Sequence, residues 1–82
     1  MFISTSDHRL INSDHISYFE LVPYLNADKA DLLAHLDNKA FIIFTGTAAE
    51  TKNAYDDLAY ALSSGAAVFS KLARRDFNGK SV

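Results

Sequence analysis

The chain has 82 residues and a formal net charge of −2, and 49% of its residues are hydrophobic. This length predicts one domain, and the apolar fraction excludes a largely disordered chain. The chain contains no cysteine, which excludes a disulfide framework, a thiolate nucleophile and a cysteine-based zinc site. Because so short a chain buries only a small core, we expect its stability to depend on very close packing or on association.

The charges are unevenly distributed along the chain. Residues 71–82 are basic through four side chains: Lys71, Arg74, Arg75 and Lys80. A solvated chain end is the ordinary interpretation of this tail, and a site for nucleic acid or phosphate is the alternative. No apolar run is long enough to span a membrane, and residues 1–10 lack a signal-peptide pattern, so we expect a cytoplasmic protein.

Several segments have the composition of strands. The pattern predicts short strands at residues 2–4 and 9–11 and a longer, β-branched and aromatic strand over residues 16–22. Residues 30–36 fit either an Ala- and Leu-rich helix or a strand in which apolar residues alternate. Their short length, and the extended run at residues 40–45 that follows a polar turn, favour a hairpin of two strands.

The sequence GTAAE at residues 46–50 is typical of a helix start. The Thr47 side chain can accept the Glu50 N–H and the Glu50 carboxylate can accept the Thr47 N–H, which completes a capping box. The helix should run to about Ser64 and end at Gly65, which tolerates a left-handed conformation. The predicted fold class is therefore α+β, an antiparallel sheet of about four strands followed by one main helix.

The predicted domain organisation is a single domain over residues 1–82, with a core over residues 2–64 and a C-terminal extension over residues 65–82.

The order of turn, strand and helix-cap motifs along the chain resembles that of a group of small bacterial β-meander-plus-helix proteins, similar to the FlbD-type flagellar proteins. The matching features, within residues 9–62, are INSDHI, a strand carrying Glu20, the 30–45 hairpin and GTxxE. The resemblance implies an antiparallel sheet plus a helix, and it implies no activity.

The chain has three imidazoles, at His8, His15 and His35. His8 and His15 each follow an aspartate, but adjacent residues of an extended chain point to opposite faces, so we predict no metal, cofactor or catalytic residue. Glu20 lies in an apolar strand and should face solvent or pair with Arg9 or Lys39. A small-ligand site or enzyme would need a pocket that gathers at least two of His15, His35 and Glu20.

The apolar run at residues 41–44 has consequences for association. Regular alternation would place Ile42 and Phe44 on one face of the sheet, and a single helix covers only one face. Either residues 66–77 or a second chain should cover the other face, most simply in a homodimer or higher homo-oligomer, with an unknown protein partner as the alternative. The leading function is therefore a small, self-associating interaction module. Its predicted contact residues are Ile42, Phe44, Leu33, Tyr60, Phe69 and Leu72.

Overall fold

The structure is a computed structural model that describes residues 1–72. Its elements are β1 (Phe2–Ser4), β2 (Leu10–Asn12), a 3-10 turn (Ser13–His15), β3 (Tyr18–Pro23), β4 (Ala30–Leu36), β5 (Lys39–Gly46), α1 (Ala48–Ser64) and β6 (Val68–Phe69). The α+β class and the main helix are confirmed, and residues 30–36 form a strand. The strands are divided between two three-stranded sheets, ordered β2-β1-β6 and β3-β4-β5. No helix within residues 1–72 is long and apolar enough to cross a membrane.

The β3-β4-β5 sheet is antiparallel throughout, and α1 packs on one of its faces. On that face β4 presents Ala30, Leu32 and Ala34, which are all buried. The Thr51 hydroxyl of α1 is buried against the same strand and donates to the Ala30 carbonyl at 3.0 Å. The predicted alternation of β4 is therefore confirmed, since its odd and even residues lie on different faces.

A β-bulge changes the alternation of β5. Leu32 pairs with Phe44 while Leu33 pairs with Ile42, so Ile43 is an extra residue on β5. Because directly paired residues point to the same face, Phe44 lies on the α1 side, where it packs against the core. The expectation that Ile42 and Phe44 share a face is therefore wrong. Because of the extra residue, every later β5 side chain lies on the face opposite to the one that regular alternation predicts.

The smaller sheet brings the end of the described chain back to the core. β1 is antiparallel to β2 and parallel to β6, and Ile3 pairs with Phe69. Phe69 is buried and Leu72 is fully buried, and both belong to the same hydrophobic cluster as Leu32. The core therefore extends past residue 64, and Phe69 and Leu72 are wrong as contact residues, because their side chains already fill the chain's own core.

The ends of α1 have the predicted chemistry. Thr47 Oγ1 accepts the Glu50 N–H at 3.1 Å, and Glu50 Oε1 accepts the Thr47 N–H at 2.9 Å. Gly65 ends the helix with φ of +74°. The capping box and the C-terminal glycine are thus confirmed, and they fix where the helix begins and ends against the sheet.

The β1–β2 connection contains a strained residue. His8 has φ of +67°, and among residues 1–72 it is the only non-glycine residue with a positive φ. Beside it the Thr5 hydroxyl accepts the Arg9 N–H at 3.0 Å and donates to the Asp7 carboxylate. This hydrogen bond from Thr5, with the Arg9 charge alongside, holds the pKa of Asp7 below its usual value.

We expect His8→Gly to raise the free energy of unfolding by about 0.5–1 kcal/mol, because glycine adopts a positive φ without steric cost. Urea denaturation of the two proteins measures the difference. His15→Gly is the matched control, since His15 does not have a positive φ, and it should give no gain. An equal change in the free energy of unfolding for both variants would contradict the assignment of strain to His8.

Candidate functional site

The candidate site is the face of β3-β4-β5 that points away from α1, which we name the outer face. The strand register arranges its side chains in three cross-strand rows: Tyr18–His35–Ala40, Glu20–Leu33–Ile42 and Val22–Asp31–Thr45. Each row belongs to this face because its β4 member alternates with the buried Ala30, Leu32 and Ala34. The outer face is thus the solvent side of three strands of 6, 7 and 8 residues.

The centre of the outer face is apolar. Leu33 and Ile42 are directly paired, and Leu33 is half-buried while Ile42 retains 49% of its exposure. Val22 lies in the next row and is also half-buried. Within residues 1–72, other side chains cover Leu33 and Ile42 incompletely, and their role as contact residues stays a prediction. Phe44, which we expected beside them, lies on the opposite face.

A carboxylate–imidazole pair flanks this centre. Glu20 Oε1 lies 2.7 Å from His35 Nε2. The Tyr18 ring stacks on the imidazole with a centroid distance of 4.1 Å and an interplanar angle of 10°. The His35 side chain is 20% exposed and that of Glu20 is 49% exposed. Glu20 faces solvent, which was one of the two expectations, but its partner is His35 rather than Arg9 or Lys39, because the β3–β4 register places His35 diagonally next to Glu20.

The second carboxylate of the outer face is also hydrogen-bonded. Asp31 Oδ1 accepts the Thr45 hydroxyl at 2.8 Å and the Tyr24 hydroxyl at 3.1 Å. The hydrogen bond to Asp31, together with the charge of that carboxylate, raises the pKa of Tyr24. Both acidic side chains of the face thus have partners within the chain, which lowers the cost of removing the face from water.

A shallow cleft of about 280 Å³ lies at the Tyr18–His35 end of the face. It is lined by Ser17, Tyr18, His35, Leu36, Asp37, Asn38, Lys39 and Ala40. His35 lines this cleft, whereas Glu20 and His15 do not. The structure therefore brings His35 and Glu20 together but does not gather two of the three expected residues in one pocket. No group of three or more potential metal-ligating side chains is present within residues 1–72.

The remaining predicted residues lie elsewhere or outside the described chain. Tyr60 is exposed on α1, away from the outer face. Lys71 Nζ lies 3.9 Å from Asp57 Oδ2. Arg74, Arg75 and Lys80 lie outside the described residues, so the alternative of a basic nucleic-acid or phosphate site stays a prediction.

Two features of the surface were not predicted from the sequence. The first is the stacking of the Tyr18 ring on the His35 imidazole, which depends on the register between β3 and β4. The second is an apolar patch on the β2-β1-β6 sheet, where Phe2, Leu10 and Val68 are exposed. Phe2 and Val68 are directly paired there. Their alternation with the buried Ile3 and Phe69 is a signal that could have indicated this patch.

Comparison with known proteins adds no identification, since no family model, curated protein or solved structure matches the chain. The class that the fold defines is an α+β protein in which one helix covers one side of an antiparallel sheet. The resemblance to FlbD-type proteins stays a prediction.

Proposed function

We propose that the protein is a small interaction module that forms a homodimer through its outer face. The observation that carries this proposal is the pair of half-buried Leu33 and exposed Ile42 at the centre of the outer face. Packing two such faces together removes apolar surface from water on both copies, as in the interior of a β-sandwich.

Charge complementarity favours a second copy of the chain as the occupant. His35 lies at one end of the outer face and Asp31 at the other, on opposite sides of Leu33 along β4. A two-fold axis along the central row would place the His35 end of each copy over the Asp31 end of its partner, while the Leu33–Ile42 pairs meet at the centre beside the two Glu20 side chains. The sheet has only three strands, which limits the area that the dimer can bury, so we expect a weak dimer with a Kd on the order of micromolar.

Sedimentation equilibrium tests this proposal over roughly 10 μM to 1 mM protein. We expect a reversible monomer–dimer equilibrium for the natural sequence. Ile42→Asp should weaken dimerisation about 100-fold or more, because it removes an apolar contact from each copy and adds two charges to the interface.

Leu25→Asp is the matched control. Leu25 is 98% exposed and lies in the loop between β3 and β4, so this variant adds the same charge without altering the outer face. It should dimerise like the natural sequence. A strictly monomeric natural protein at every pH tested, or equal dimerisation by Ile42→Asp, would contradict the proposal.

A further inference from the structure

We infer that protonation of His35 controls this association, so that the dimer tightens as the pH falls. The inference rests on the proposed dimer and adds a regulatory property to the same face. Its structural basis is the direct contact between His35 and Glu20 next to the apolar centre of the outer face.

The charged surroundings of His35 are dominated by Glu20. From β3, Tyr18 and Glu20 face the imidazole. Ala40 is its direct partner on β5. Asp37 and Lys39, which carry opposite charges, line the cleft beside it. Among the residues described around the ring, the Glu20 carboxylate is the charged group within hydrogen-bond distance of the imidazole, with Oε1 2.7 Å from Nε2.

The direction of the pH effect follows from the charge that the interface must bury. When His35 is neutral, each copy brings the negative charges of Glu20 and Asp31 to the interface, and the two-fold arrangement places the two Glu20 side chains opposite each other. When His35 is protonated, its charge balances that of Glu20 and lies opposite the partner's Asp31, so burying the outer face costs less. The dimer thus binds protons more tightly than the monomer, and linkage requires that lower pH strengthen association.

The test measures the dimerisation Kd by sedimentation equilibrium at about pH 5.5 and about pH 8, a range over which histidine changes charge. We expect the Kd to be at least about tenfold lower at the acidic pH. His35→Gln should abolish this difference, whereas Glu20→Gln should give a tighter dimer than the natural sequence at the alkaline pH, because it removes one of the two negative charges that each copy brings to the interface. His8→Gln and His15→Gln are controls that should keep the natural pH dependence.

A second measurement requires no variant. If the dimer binds protons more tightly, the midpoint of the His35 ring titration, followed by NMR, must rise with protein concentration. A dimer with the same Kd at both pH values, or one that weakens in acid, would overturn the inference and leave the proposed dimer intact. Persistence of the full pH effect in His35→Gln would also overturn it. A monomer at both pH values would instead refute the proposed function.

Discussion

Replacing Leu72 by alanine is expected to lower the free energy of unfolding by about 2–4 kcal/mol, as measured by urea or thermal denaturation. Leu72 is fully buried in the cluster that includes Ile3, Leu32 and Leu58. Truncation leaves a cavity in a small core, and so short a chain has few other apolar contacts with which to compensate. A loss of this size would be a large fraction of the stability of the whole domain.

Leu25→Ala is the control for this experiment, because it deletes the same atoms from a side chain that is 98% exposed. Its effect should lie within about 0.5 kcal/mol of zero. If Leu72→Ala changed the free energy of unfolding as little as Leu25→Ala does, the segment after α1 would not belong to the core. The earlier expectation that Leu72 is a contact residue would then regain support.

The two aspartate variants of β5 should separate folding from association. Phe44→Asp is expected to lower the free energy of unfolding by about 3 kcal/mol or more, because it removes an aromatic ring packed on the core and places a charge there. Ile42→Asp should cost about 1 kcal/mol or less, since Ile42 points to the outer face and is 49% exposed.

Chemical denaturation of both variants at low protein concentration provides the comparison, because dimerisation then contributes nothing to apparent stability. The expected order follows from the bulge at Ile43, which turns Phe44 toward α1 and leaves Ile42 on the other side. Similar losses for the two variants would contradict this assignment of faces.

The parts of the fold that the sequence predicted depend on local chemistry. Thr47 and Glu50 form a capping box with groups three residues apart, and Gly65 ends the helix through its own backbone conformation. The alternation of residues 30–36 likewise depends on neighbouring residues, although helix propensity competed with it. These elements required no knowledge of distant contacts.

The parts that sequence reasoning missed depend on pairings between distant residues. The bulge at Ile43 is a mismatch between β4 and β5, and no glycine or polar residue marks it. Likewise, Glu20 meets His35 only because of the β3–β4 register, across 15 residues of chain. The return of Phe69 to pair with Ile3 crosses most of the described chain. Such contacts are decided by the packing of the whole molecule, which local patterns do not contain.

The most direct test of the proposed function is an NMR measurement of intermolecular NOEs in a mixture of isotope-labelled and unlabelled protein at high concentration. The proposed dimer predicts intermolecular NOEs at the methyl groups of Leu33 and Ile42. It also predicts that these signals disappear in Ile42→Asp while the intramolecular NOEs of the Leu32 methyl groups persist. Intermolecular NOEs confined to the Phe2, Leu10 and Val68 patch, or none at any concentration, would contradict association through the outer face.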